Sequence, residues 1–351
     1  MGVSGKESAM KKILFGMFFL LAWNSSLNAQ APFYQGKTIT LIAGTTAGSQ
    51  YDAHARLLAQ HWGKHIPGNP EIIVQNMAGA GTIIAANYIY SVAKPDGLSI
   101  GLVNPAIYVD QLLRAKEVKF DWQKFSFIGS PERLDYVLFM RTHTPYKTLD
   151  DMRKAKEPPR CAALAISTPS YQFPKLLEEG LGLKFNMVLG YGGGGEMNLA
   201  IEKGEVQCRA GTVSSYVDRE PTRGWAKNGF VRALAQSGGK RYPKLPDVPT
   251  IYELMETHKT PDGIRRLAKV VLASLDLGRP FIAPPGIAAD RLKVLRDAFT
   301  KAMNDPALVA DANKRKWDLD PISGAELEST AKEIMVQPPE VIERMKKLLE
   351  N

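Results

Sequence analysis

The chain has 351 residues, 44% of them hydrophobic, and carries a formal charge of +9. That length and apolar content are ample for a packed core and suit two domains rather than one. The basic residues are spread along the chain, which argues against a nucleic-acid partner and favours anionic small solutes or membrane surfaces.

The first residues read as an export signal rather than as fold. Lys11-Lys12 precede an apolar run from Ile13 to Trp23, and small and polar residues follow to Ala29. A basic segment, an apolar segment and a small-residue site are the parts of a cleavable secretory signal. The run has eleven residues, whereas a membrane span needs about 20. Cleavage is expected near Ala29, and the true start is placed at Met1 or Met10. Loss of residues 1–29 removes three Lys and one Glu and lowers the charge to +7. No Cys follows the run, so a lipid anchor is not indicated, and the mature protein is expected in the periplasm.

Two βα units follow. Ile39 to Ala43 is an apolar strand that breaks into a small-residue loop from Gly44 to Asp52, and a helix runs from Ala53 to His65. Glu71 to Asn76 repeats the pattern, breaking at Met77 to Gly81 before a helix from Thr82 to Ala93. Two neighbouring βα units set two helix N-termini, with unpaired N–H groups, at one edge of a parallel sheet. Such an edge suits an anion, for example a carboxylate. The turn Pro95-Asp96-Gly97 leads to a third strand, Leu98 to Val103, and another helix.

Strands near Phe127 and from Asp135 to Met140 lead into a second alternating region. Thr148 caps a short helix to Lys156. Strands are expected at Cys161–Ile166, Asn186–Leu189 and Val206–Thr212, with helices at Tyr171–Leu181 and Glu196–Lys203. Pro174 is expected in the first turn of its helix. Val231 to Ala235 then returns toward the first region, and the C-terminal part is mostly helical around a short strand near Phe281. The fold class is α/β: two lobes, each a mainly parallel sheet flanked by helices, joined by two crossover strands near Phe127 and Ala233. Residues 30–131 and 236–351 form the first lobe, and residues 132–235 form an inserted second lobe. A cleft lined by loops at the carboxyl ends of strands lies between them.

Catalytic and cofactor signatures are incomplete. Gly79-Ala80-Gly81 opens a helix, but Ile84 stands where a dinucleotide fingerprint needs its third glycine. The glycine run from Gly190 to Gly195 lacks the Gly-Lys-Ser/Thr of a phosphate loop. Two Ser-x-x-Lys matches, at Ser91 and Ser329, have no companion motifs. His61 and His65 share one partly exposed helix face but lack a third ligand for zinc. The sequence shows no obvious carboxylate and nucleophile pair with which His54 could form a triad. No catalytic residue, metal site or cofactor is therefore assigned. Cys161 and Cys208 lie in strands of one region, where a disulfide and two buried thiols are both open readings.

What remains is a set of hydrogen-bonding loops. Thr45, Thr46, Ala47, Gly48, Ser49 and Asp52 crowd the first turn, with Asp52 a natural helix cap. Ser167, Thr168 and Ser170 offer hydroxyls at a helix start in the second lobe. Tyr51, Tyr171 and Tyr191 offer flat walls with polar tips.

These segments resemble the receptors of tripartite tricarboxylate transporters, the Bug-type solute-binding proteins. The family's Ala-Arg-Leu-Leu-Ala helix stands here as Ala55-Arg56-Leu57-Leu58-Ala59, with Asp52 ahead of it. Asn76 to Thr82 is similar to its Asn-Arg-Pro-Gly-Ala-Gly-Gly, Pro95-Asp96-Gly97 to its turn, Leu245 to Thr250 to its Leu-Pro-Asp-Val-Pro-Thr, and Pro280 to Gly286 to its late strand. The chain departs from the pattern at Gly44-Thr45, Ala47, Ser49, Met77-Ala78 and Gly192. The resemblance implies a periplasmic-binding-protein clamshell without catalytic activity. It would capture a small organic carboxylate and deliver it, as a monomer, to a two-component integral membrane permease. It also implies ligand contacts from Thr45 to Asp52, from Ala78, Gly79, Ala80 and Gly81, from Ser167 to Ser170, and from Tyr191, Gly192 and Gly193. A sensor receptor with the same binding chemistry, and an exported hydrolase using the same cleft, are the alternatives.

Overall fold

The computed structural model describes residues 32–350, apart from 165, 167, 192 and 193. The export signal expected at residues 1–29 lies outside the described residues, as do Ser167, Gly192 and Gly193.

Two sheets organise the chain. The first has the order β11-β4-β10-β3-β1-β2, from strands β1 (Thr38–Ala43), β2 (Glu71–Asn76), β3 (Ser99–Leu102), β4 (Ser126–Ser130), β10 (Phe281–Ala283) and β11 (Ile322–Ser323). The second has the order β7-β6-β8-β5-β9, from β5 (Tyr136–Arg141), β6 (Arg160–Ala162), β7 (Asn186–Val188), β8 (Cys208–Thr212) and β9 (Val231–Gln236). Both sheets are mixed. Pairing is parallel where βα units build it, as in β1 with β2 and β3, and in β6 with β7 and β8. It is antiparallel where β10 joins β3 and β4, and where β5 joins β8 and β9.

The first crossover is β4 running through residues 131–135 directly into β5. The second follows β9, whose last residue Gln236 bridges to Thr250 ahead of the helix Ile251–Thr257. Thr250 and Glu253 close that helix start reciprocally as a capping box, which satisfies two amides that helix geometry leaves over.

The helix Asp262–Leu277 then ties the molecule together. Ile264, Leu267, Val270, Val271 and Leu275 recur at helical spacing and are all buried. It packs on the helix Pro169–Leu181 from the second-sheet region and on the helices Gly324–Met335 and Pro339–Glu350. One apolar cluster therefore runs from Trp122 and Phe127 beside the first sheet to Met140, Phe173 and Leu176 beside the second.

Helix Pro169–Leu181 corrects one expectation. It begins at Pro169, and Pro174 lies inside it rather than in its first turn. A proline at the first helical position is preorganised for a helix start, so Pro169 moves the boundary upstream. The paired histidines share one face, as expected, with His61 buried and His65 partly exposed. His61 Nε2 meets Asp311 at 3.1 Å, and His65 Nε2 meets Asp305 at 2.8 Å. They clip the helix Gln50–Trp62 and its 3-10 extension Gly63–His65 to the helix Pro306–Lys314. The side-chain bond from Lys64, the Ala307 amide and His65 together hold the Asp305 carboxyl below the usual range.

Candidate interlobe binding site

The first turn is built around Asp52. Ser49 caps the helix Gln50–Trp62 by accepting from the Asp52 amide, and its hydroxyl also meets Thr45 Oγ1 at 2.6 Å. Asp52 accepts from the Gly48 amide at 2.9 Å, from Arg56 Nε at 3.0 Å and from Asn76 Nδ2 at 2.9 Å. The Arg56 bond is the main cause that lowers its pKa to about 2. Because Asn76 ends β2 and also donates to the Thr45 carbonyl, one carboxylate locks the turns after β1 and β2 together. Among the described residues, the amides of Thr45, Thr46 and Ala47 find no acceptor, and Thr46, Ala47 and Gly48 are exposed.

The second turn is strained. Gly79, Ala80, Gly81 and Thr82 have φ of 141°, 45°, 61° and 87°. Positive φ costs a non-glycine residue about 1–3 kcal/mol, so Ala80 and Thr82 are held there by their surroundings. Thr82 is held in part by the Asn104 amide, which donates to its hydroxyl at 3.0 Å. Ala78, Ala80 and Gly81 are exposed.

A cavity of ≈ 220 Å³ lies between elements of the two sheets. Gln50, Glu132, Arg279, Lys316, Trp317 and Asp318 wall one side. Tyr136, Leu164, Ser170, Gly194, Met197, Arg209, residues 210–212, Ser214 and Ser215 with Arg219 wall the other. The second wall sits at the carboxyl ends of β6, β7 and β8, the edge at which open α/β sheets bind ligands.

Two of the cavity's arginines are buried, in opposite states. Arg279 is 5% exposed and lies 3.0 Å from Glu132 Oε1, which also meets His54 Nε2 at 3.2 Å. Burial pushes the Glu132 carboxyl up, but His54 and Arg279 outweigh it, and its pKa is lowered overall. Arg279 also faces the ring of Tyr51 at 5.0 Å, and burial raises that phenol to about 12. The knot forms because Gly278 packs against the crossover: a Cβ there would sit 1.8 Å from the Glu132 carbonyl oxygen. Ser130 accepts from the Arg279 amide and donates to that same carbonyl.

Arg209 is 3% exposed and has no carboxylate within ion-pair reach among the described residues. Its Nε donates to Asn198 at 2.9 Å, and its guanidinium lies 5.1 Å from the centre of the Phe139 ring. Burial lowers its pKa to about 10. Tyr136 lines the cavity with both arginines and feels their charges; burial raises its phenol.

The expected site residues divide between these places. Thr45, Gly48, Ser49 and Asp52 share the first hydrogen-bonded turn. Thr168 and Ser170 meet through their hydroxyls at 2.8 Å, and Ser170 accepts from the Leu164 amide. Of the expected residues that are described, Ser170 alone lines the cavity, which Gln50 joins beside the first turn. Tyr191 packs on the second sheet's own core, and burial raises its phenol. Cys161 and Cys208 are register partners on β6 and β8, 4.5 Å apart at Cα, with their sulfurs bonded.

Sequence reasoning missed Arg209, Arg279, Glu132 and Trp317. A signal existed for Arg209: a charged residue inside the strand Val206 to Thr212 is unusual enough to need an explanation. Lys316, which sequence reasoning also missed, is exposed and borders the cavity. Among the described residues no cluster of three metal-ligating side chains occurs, and no helix is long and apolar enough to cross a membrane.

Two mixed sheets flanked by helices, with a cation-rich cavity between them, define a two-lobed solute-binding protein. Comparison with known proteins agrees with this class. Residues 55–348 match the model of the tripartite tricarboxylate transporter family receptor, and the chain belongs to that family. It is 30% identical over 301 residues to the UPF0065 protein in the gbd 5′ region of Cupriavidus necator, covering 84% of this chain and 82% of that one. A TctC solute-binding protein from Polaromonas superposes with a TM-score of 0.68 at 20% identity, over 90% of this chain and 99% of that one. MatC of Rhodopseudomonas palustris, solved with bound malate, gives a TM-score of 0.58 at 20% identity, over 90% and 99%. The family is one of receptors, not enzymes.

Proposed function

We propose that this protein is an exported, monomeric receptor that captures a small organic carboxylate between two lobes and delivers it to a tripartite-type membrane permease. The lobes are residues 30–131 with 236–351, and the inserted residues 132–235. The observation that carries this reading is the charge of the cavity. Arg209, Arg219, Arg279 and Lys316 face Glu132 and Asp318, and Glu132 is already committed to His54 and Arg279. The malate bound to MatC supports an acid as ligand.

The first-lobe turns at Thr45–Asp52 and Ala78–Gly81 approach the ligand from the mouth of the cleft, through amides. The second-lobe helix start near Thr168 and Ser170, together with Tyr191, is the proposed contact from the other side. Hydrogen bonds to a charged group contribute about 1.5–3 kcal/mol each, so several reach the roughly 8 kcal/mol of micromolar binding after association costs. A preference of the ligand for the closed arrangement shifts the population that the permease reads.

Isothermal titration against mono-, di- and tricarboxylic acids tests the reading. At least one acid should bind with heat at micromolar concentration, and a ligand at about a hundredfold excess over its Kd should add about 2.7 kcal/mol of stability. Binding of neutral solutes but of no acid contradicts it.

A further inference from the structure

We propose that Arg209 is a dedicated second-lobe anchor for an acid group, so that the ligand is a small dicarboxylate gripped at one end by each lobe. This deepens the carboxylate reading above and rests on it.

Three observations converge. First, Arg209 is a buried cation facing the cavity with no anionic partner among the described residues, whereas its neighbour Arg279 has Glu132. A buried charge left unpaired is costly, and an incoming carboxylate removes that cost. Second, the guanidinium is aimed rather than loose. Nε is tied to Asn198 and the Phe139 ring supports it, so the terminal nitrogens are left for a ligand; among the described residues the Ala210 carbonyl, 3.5 Å from Nη1, is the one further acceptor. Third, the ten-residue helix Gly194–Lys203 starts beside those nitrogens: a Cβ on Gly194 would lie 3.7 Å from both. A helix N-terminus carries partial positive charge, so two like potentials meet at one point of the cleft. A bidentate carboxylate satisfies both at once. Gly211 keeps the approach open, because a Cβ there would lie 3.0 Å from Nη1.

The first-lobe turn is proposed as the other grip: the amides of Thr45 to Ala47 find no acceptor among the described residues, and Gln50, which follows that turn, lines the cavity. An acid with one carboxylate can satisfy one of the two grips. An acid with two satisfies both and bridges the lobes.

The test is titration of the wild-type protein and of Arg209→Gln and Arg209→Lys with succinate, glutarate and adipate, each beside its monoamide. The wild type should bind at least one diacid about 30-fold or more tightly than the matching monoamide, as befits a bidentate ion pair. Arg209→Gln should lose that factor for the diacid while changing monoamide affinity less than about threefold. Arg209→Lys should recover part of it, because a point charge replaces a planar fork. Circular dichroism and the melting temperature confirm folding, and the wild-type diacid-to-monoamide ratio needs no variant at all. Equal wild-type affinity for diacid and monoamide, or an unchanged diacid affinity in a folded Arg209→Gln protein, overturns the anchor and leaves the receptor reading standing. Failure of the wild type to bind any acid overturns both.

Discussion

His54 stacks face to face on Trp317, with ring centroids 3.8 Å apart and planes 5° from parallel. His54 belongs to the helix after β1, and Trp317 to the segment after the helix Pro306–Lys314. His54 also meets Glu132 at 3.2 Å, and both Trp317 and Glu132 line the cavity. Trp317→Ala should cost about 1–2 kcal/mol of stability in chemical denaturation, with Trp317→Phe recovering part. Among the described residues, Trp317 is the one tryptophan in the cavity wall. Acid binding should therefore change the intrinsic fluorescence of the wild type and leave that of Trp317→Phe nearly unchanged. A full ligand signal in Trp317→Phe contradicts this placement.

Gly278 should tolerate no side chain. Its φ is 64°, and a Cβ would overlap the Glu132 carbonyl. Backbone must move to relieve that overlap, so Gly278→Ala should destabilise the protein by about 3 kcal/mol or more and separate Arg279 from Glu132. Urea midpoints of the two proteins measure it; a midpoint equal to wild type contradicts the close approach.

Asp135 gives stability an unusual pH slope. Burial first, and then the neighbouring Asp276 and Asp320, raise its pKa to about 6. A carboxyl whose folded pKa exceeds its unfolded value favours the fold below the unfolded pKa, and this contribution is lost as pH rises through the folded one. Asp135→Asn should therefore stabilise the protein by about 1–2 kcal/mol at pH 7.5, with the gain fading toward pH 4. Melting curves across that range measure it, and a gain independent of pH counts against the assignment.

Cys161 and Cys208 close a segment with a sequence separation of 47. Chain entropy assigns such a loop about 4 kcal/mol, and measured disulfides typically give about 2–4 kcal/mol. Cys161→Ser with Cys208→Ser should lower stability by that amount without changing acid affinity, since neither sulfur lines the cavity. Free-thiol titration of the unfolded wild type should find no reactive cysteine.

The first-sheet βα units were legible because their signals are local. An apolar run broken by Gly44 to Ser49 and followed by helical spacing suffices to mark β1, its turn and the helix Gln50–Trp62. The cap itself was misplaced: Asp52 was expected to cap a helix starting at Ala53, whereas Ser49 caps it and Asp52 lies in its first turn, because several side chains of one loop can all accept from helix-start amides. The cavity wall was not legible, because its residues meet through tertiary structure. Arg279 reaches Ser130 across 149 residues, and Trp317 reaches His54 only once the C-terminal helices fold back. The role of Arg209 depends on strand order. β8 lies between β6 and β5, which brings its arginine beside Tyr136 and the helix start at Gly194, and sequence spacing does not contain that order. The boundary at Pro169 shows the limit even for local signals, since two prolines competed for one helix start.

A crystal structure with the tightest-binding acid from the titrations tests the account most directly. It should show a carboxylate within about 3 Å of the terminal nitrogens of Arg209, inside the cavity also walled by Trp317 and Arg279. An acid bound outside that cavity, with Arg209 still unpaired, contradicts the account.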